Sequence, residues 1–148
     1  MSWSAAIFGL EGLSLSAWER GFFAEVRPYG FILFARNLQS PDQIRHLTAE
    51  LRHAVGYDAP ILIDQEGGRV QRLAPPQWRA WLPPLEQMAR VEPHMAPRAM
   101  YLRYRLIAAE LTDLGIDVNC APMGDVARLD THPILLNRCY GDAALPVI

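Results

Sequence analysis

The sequence predicts an α/β fold built on a parallel sheet, and three observations carry that reading. Short, wholly apolar segments alternate with stretches of helical periodicity. Most of the joining segments are brief, so each apolar segment returns beside the last through a helical crossover, which makes neighbouring strands parallel. Polar residues gather where the apolar segments end, the edge at which parallel sheets present their chemistry.

Residues 5–8 read as the first strand. Ser16-Ala17-Trp18-Glu19 then forms a capping box, in which the serine and glutamate satisfy two backbone donors reciprocally. It opens a helix reaching about residue 26, with Pro28 and Gly30 expected to end it. Residues 31–34 (Phe-Ile-Leu-Phe) are the second strand, closed by Arg36-Asn37. Ser40 and Pro41 start a second helix with Ile44, Leu47, Leu51 and Val55 on one face, His46 and His53 on its polar side, and Gly56 and Pro60 as its stop. The third strand, residues 61–63, is expected to be buried on both faces and runs directly into Asp64-Gln65-Glu66-Gly67-Gly68-Arg69-Val70-Gln71-Arg72. A long connection follows with Pro75, Pro76, Trp78, Trp81, Pro83 and Pro84, a length that marks a functional loop or lid. His94, beside Pro93, reads as loop. A long helix is expected over residues 97–114, with Leu102, Leu106 and Ala109 in register and Gly115 as its stop, then a fourth strand over 116–121 leading to Pro122 and Asp125. Asp142 caps the start of a further helix.

Composition narrows the function. With 148 residues, 51% hydrophobic and 20% charged, the chain has the size and balance of one ordinary soluble domain. A net charge of −2 and the absence of any Lys/Arg run leave no stripe for tracking phosphates, which sets nucleic acid aside as a partner. All 14 cations are arginine. Schiff-base and phosphate-loop lysine chemistry are therefore unavailable, which disfavours aldolase-type and phosphate-binding barrels. The N-terminus lacks a basic signal-peptide region, so a cytoplasmic location is expected. No apolar run approaches the roughly 20 residues of a membrane span. Cys120 and Cys139 have no partners at zinc spacing and cannot make a disulfide framework; both are expected to be buried free thiols, with no metal and no cofactor. No Gly-x-Gly-x-x-Gly follows the first strand, and Gly9-Leu10-Glu11-Gly12 is a weak substitute, which argues against a dinucleotide-binding sheet. Four strand–helix units amount to half of an eightfold barrel, whose typical size is about 250 residues. The expectation is the N-terminal half of a (β/α)8 barrel, four parallel strands with flanking helices, truncated before its second half.

Four segments then act together: Gly30-Phe31-Ile32-Leu33-Phe34-Ala35-Arg36-Asn37, the Asp64–Arg72 run, Ala121-Pro122 with Asp125-Val126, and Asn137-Arg138-Cys139-Tyr140-Gly141. In order and spacing they closely resemble the bacterial glycoside hydrolase family 3 β-N-acetylglucosaminidases, over roughly residues 7–142. The resemblance implies a (β/α)8 barrel enzyme that removes terminal N-acetylglucosamine from peptidoglycan fragments during cell-wall recycling, by a retaining mechanism without metal or cofactor. It implies substrate-binding roles for Asp64, whose carboxylate accepts from sugar hydroxyls, and for Arg72 and Arg138, whose forked donors reach sugar oxygens. It also implies a Lys-His pair, a histidine acid/base and an aspartate nucleophile that these residues do not include. His132, followed by Pro133, has no context like the catalytic histidine's loop. No catalytic residue is therefore assigned, and the chain alone is expected to be inactive.

Glycosidases commonly work with two carboxyls about 5 Å apart. Asp64 with Glu66 or Asp125 would satisfy that in composition, but the resemblance makes Asp64 a binder. Glu66 is expected to hold the loop by pairing with Arg69 or by capping backbone donors. Asp125 either packs against an arginine or lines the pocket. Trp78 and Trp81 are expected to pin the proline-rich loop rather than stack on a sugar. The rival reading is a non-catalytic sugar-binding or assembly module, self-associating through the open strand edges of a half barrel.

Overall fold

The computed structural model describes residues 3–144, which form two compact units: residues 3–64 with 108–119, and residues 65–107 with 120–144. In chain order the strands are β1 (Ser4–Phe8), β2 (Pro28–Leu33), β3 (Ile61–Ile63), β4 (Gln65–Gly67), β5 (Val70–Gln71) and β6 (Val118–Asn119). The α-helices are α1 (Ala17–Val26), α2 (Pro41–Val55), α3 (Pro84–Ala89), α4 (Ala96–Asp113) and α5 (Pro133–Leu136).

The first unit holds the sheet, in the order β1-β2-β3-β6 with every pairing parallel. Each new strand joins on the same side of its predecessor. A doubly wound sheet reverses direction after its first strand, so this sequential order is that of a barrel wall. Register is set by apolar residues: Phe31 lies opposite Ile61 and Leu33 opposite Ile63. These four side chains are completely buried, and the Phe31 ring meets Phe23 of α1 edge-on at 5.0 Å. The alternate residues are less covered: Leu62 is only half-buried and Ile7 is 46% exposed, so the strands are not sealed on both faces as expected. Successive side chains point to opposite faces, and here the face carrying Phe31 and Ile61 is the closed one.

The caps form as the sequence dictates. Ser16 accepts from the Glu19 N–H at 3.1 Å, while the Glu19 carboxylate accepts from the Ser16 N–H at 2.9 Å. The helix does not wait for Pro28 or Gly30 to stop it. Arg27 adopts the left-handed conformation (φ 48°), its N–H reaching Phe23 O at 2.9 Å, and Pro28 already opens β2. In α2, Ile44, Leu47 and Leu51 are fully buried, Val55 nearly so, and Gly56 ends the helix at φ 74°. Asn37 is a wholly buried polar pin: its Oδ1 accepts from Phe34 N–H at 2.9 Å and its Nδ2 donates to Gly12 O at 2.8 Å. The lead-in to β6 is fastened by Asp117, whose Oδ2 accepts from Arg52 Nη2 at 2.6 Å and from Ile61 N–H at 3.0 Å.

Two expectations are corrected here. The covered stripe of α4 is Arg103, Ile107, Leu111 and, just past its end, Leu114, whereas Leu102 and Leu106 are each 45% exposed. At 3.6 residues per turn the two stripes lie about 100° apart, and the covered one includes an arginine. Cys120 is exposed because it follows β6, where the chain leaves the sheet; Cys139 is buried, and burial pushes its thiol pKa up. The helix expected after Asp142 lies largely outside the described residues. Among the described residues no helix is long and apolar enough to cross a membrane.

Replacing Leu51 by Ala removes a fully buried side chain and is expected to cost about 2–5 kcal/mol in urea unfolding, whereas Leu106→Ala should change stability by less than about 0.5 kcal/mol. Glu19 supplies a pH dependence. Burial alone would raise its pKa, but hydrogen bonds from the Glu11 and Ser16 backbones and the Ser16 hydroxyl outweigh this and hold it below the ordinary 4.5. Its folded pKa is depressed, so its stabilisation is present above 4.5 and is lost as pH falls through the folded value. Unfolding free energy measured against pH should therefore fall less steeply in Glu19→Gln on the acid side.

Candidate functional site

The polar run after β3 folds back on itself. Gln65 pairs with Gln71 and Gly67 with Val70, making an antiparallel hairpin in the second unit that apolar periodicity does not reveal. Gly67 (φ 112°) and Gly68 (φ 59°) make the turn, in backbone conformations that side-chain-bearing residues rarely adopt. Gln65, fully buried, closes the hairpin's base: Oε1 accepts from the Arg72 and Leu73 N–H groups at 3.0 Å each and Nε2 donates to Leu73 O at 3.0 Å. Gln71 ties the hairpin to the proline-rich loop, donating to Arg79 O at 2.6 Å and accepting from the Trp81 N–H at 3.0 Å. Gly68 N–H donates to Trp81 O at 2.8 Å. The Trp81 main chain thus ties the loop to the hairpin, and Arg103 and Arg79 sit over its ring at 5.5 and 5.2 Å.

Arg103 is the centre of this unit. It is 2% exposed, and its guanidinium donates to Leu82 O at 2.8 Å and also to Glu66 O and Gln87 Oε1. Burial lowers its pKa, yet an arginine stays charged, so the carbonyl dipoles and the Trp81 ring must stabilise the cation. A Cβ on Gly67 would run into this guanidinium and lie 2.5 Å from Leu82 O.

The sequence-predicted site residues fall as follows. Asp64 is half-buried and belongs to the first unit, directly after the C-terminal end of β3. Arg72 and Arg138 belong to the second unit. Arg72 is half-buried, with its backbone held by Gln65. Arg138 makes a two-pronged bond to Glu66, Nε to Oε2 at 2.8 Å and Nη2 to Oε1 at 2.6 Å. The Glu66 side chain is only 4% exposed. The partner expected for Glu66 was Arg69, but Arg69 instead donates to Ile134 O. Glu66 lies one residue before the turn and looks inward, while Arg69, beyond it, is directed to solvent-exposed α5. Asp125 is exposed. Arg103 escaped the sequence reading, although its place on the stripe with Ile107 and Leu111 was a usable signal.

A groove of about 1000 Å³ also lies within the second unit, lined mostly by apolar residues including Met88, Met100, Pro122, Tyr104 and Tyr140. The two phenols are hydrogen-bonded to each other, and burial raises both pKa values, so both stay neutral. None of Asp64, Arg72 or Arg138 lines the groove. Tyr104 on its lining also interacts with Arg103. Among the described residues no cluster of His, Cys, Asp and Glu could hold a metal ion.

Gly67→Ala brings both a forbidden backbone angle and a collision with Arg103. It is expected to destabilise the chain by more than about 2 kcal/mol and to shift the Trp81 emission, read by tryptophan fluorescence during denaturation.

Comparison with known proteins places the chain in a family. The model of the glycosyl hydrolase family 3 N-terminal domain matches residues 23–146. A beta-hexosaminidase of Alkalilimnicola ehrlichii is 39% identical over 141 residues, covering 93% of this chain and 38% of its own length. One from Methylococcus capsulatus is 41% identical over 120 residues, covering 81% of this chain and 35% of its own. Among solved structures, NagZ from Neisseria gonorrhoeae in complex with N-trifluoroacetyl-D-glucosamine superposes with a TM-score of 0.84 at 25% identity, over 98% of this chain and 43% of that one. A family 3 beta-N-acetylglucosaminidase from Paenibacillus sp. str. FPU-7 gives 0.82 at 33% identity, over 95% of this chain and 27% of that one. The chain thus spans less than half the length of these relatives, and its sequential four-stranded sheet is the barrel-like half of their fold. On the extent of the matched domain, the chain belongs to glycosyl hydrolase family 3.

Proposed function

We propose that this chain supplies the sugar-gripping side of a β-N-acetylhexosaminidase. The intact enzyme would hydrolyse terminal β-N-acetylglucosamine from peptidoglycan-derived glycosides in the cytoplasm with retention of configuration. The observation that carries the reading is the Asp64–Arg72 run folded as a glycine-turned hairpin, with Arg138 fastened to it through Glu66. Family membership, the beta-hexosaminidase relatives and the N-acetylglucosamine analogue held by the NagZ neighbour support it. Asp64, at the strand end, accepts from sugar hydroxyls; Arg72 and Arg138 donate to sugar oxygens. A carboxylate and planar guanidiniums suit a polyhydroxylated ligand because each sugar hydroxyl both donates and accepts. The acid/base histidine and nucleophilic aspartate implied by the resemblance are not among these residues, so this chain grips and does not cleave.

The purified chain should show no turnover of an aryl N-acetylglucosaminide. It should bind N-acetylglucosamine weakly, with a dissociation constant of about 1 mM or above, followed by NMR titration, and Asp64→Ala should weaken that binding about tenfold or more. Turnover that disappears in Asp64→Asn would overturn the division between gripping and chemistry. A titration with no saturable shift would overturn the sugar-binding assignment.

A further inference from the structure

We propose that Glu66 is a positioning residue, which fixes the orientation of the Arg138 guanidinium for sugar binding and is itself held in place through its backbone by Arg103. This rests on the sugar-binding role of Arg138 proposed above and adds to it the device that aims the side chain. Three features of the second unit carry the argument. The Glu66 carboxylate takes the Nε and Nη2 edge of Arg138 with both oxygens, at 2.8 and 2.6 Å, a paired geometry that fixes the plane of the guanidinium as well as its distance. That carboxylate is almost sealed from solvent while the Arg138 side chain remains 25% exposed, so the buried member holds and the more exposed member is presented. The Glu66 main chain is held at the same residue, because the buried Arg103 guanidinium donates to Glu66 O and Leu82 O together.

The chemistry follows from this order of support. An arginine on a loop has several rotatable bonds, and ordering it on ligand binding opposes affinity. Ordering it beforehand with a buried carboxylate removes that opposition from the binding step. The occupied Nε edge also dictates how a ligand approaches, since a sugar must meet the guanidinium away from Glu66. Glu66 therefore acts on binding without touching the ligand, and Arg103 acts one step further back.

Arginine side-chain NMR on the labelled chain tests this directly. Without ligand, the Arg138 Nε–H signal, assigned by its loss in Arg138→Lys, should show slowed guanidinium rotation, and Glu66→Gln should abolish it while the backbone spectrum stays native. In the N-acetylglucosamine titration Glu66→Gln should weaken binding about tenfold, and Glu66→Asp, which keeps the charge, should recover part of that loss. In an Arg138→Ala background, Glu66→Gln should cause no further loss, because the two residues act as one. Should Glu66→Gln fail to fold, Glu66→Asp serves in its place, with a displaced Arg138 signal as the expected result. Free rotation of Arg138 in the unsubstituted chain, or losses that multiply in the double variant, overturns the positioning role. A chain that shows the slowed Arg138 signal but no response to the sugar instead overturns the functional reading on which this role depends.

Discussion

The second unit depends on burying one positive charge. Arg103 reaches from α4 to carbonyl oxygens that would otherwise have no reason to approach one another, those of Glu66 in the hairpin and Leu82 in the proline-rich loop. A buried cation is costly unless its donors are matched, and arginine matches several at once because its donors fan out in one plane. Lysine, a point charge on a flexible stem, could not span the same oxygens in fixed directions. The demand also travels back along the chain: residue 67 must be glycine, since a Cβ would occupy the space taken by the guanidinium. Gly67 and Arg103, far apart in sequence, answer a single steric and electrostatic requirement.

That requirement explains which parts of the chain were legible. The third strand at residues 61–63, the apolar part of β2 from Phe31 to Leu33, the capping box at Ser16 and Glu19 and the buried face of α2 all follow from local rules that need no knowledge of the rest of the fold, although β2 starts at Pro28 and ends before Phe34. The hairpin β4–β5 was not legible, because its residues Gln65, Glu66 and Gln71 lack alternating hydrophobicity. Their side chains bond backbone groups or an ion partner instead of packing. The face of α4 was misread for a related reason: counting leucines favours Leu102 and Leu106, whereas the covered stripe begins with the charged Arg103. At the site, motif order pointed to Asp64, Arg72 and Arg138, but the partner of Glu66 lies 72 residues away and is fixed by tertiary contact alone.

Cavity size is a poor guide to chemistry in this chain. The groove beside Tyr104 and Tyr140 is roomy but mostly apolar, and its two phenols already bond each other. Recognition of a sugar needs converging donors and acceptors more than it needs apolar area. Those gather on the β4–β5 hairpin, where Gln65, Glu66 and Gln71 are each held by hydrogen bonds.

The same pairing bears on ligand charge. Arg138 meets a buried carboxylate at 2.6 Å, so the pair together carries little net charge. An arginine meant to capture phosphate is more useful with its charge uncompensated, because attraction at a distance then assists binding. Once compensated, it loses that field but keeps a rigid, polarised set of N–H donors whose reach is one hydrogen bond. Short-range, directional donation of this kind suits an uncharged, hydroxyl-rich ring better than an anion. On the sugar-binding role proposed for Arg138, the electrostatics of the Glu66–Arg138 pair therefore agree with its geometry in suiting a neutral ligand.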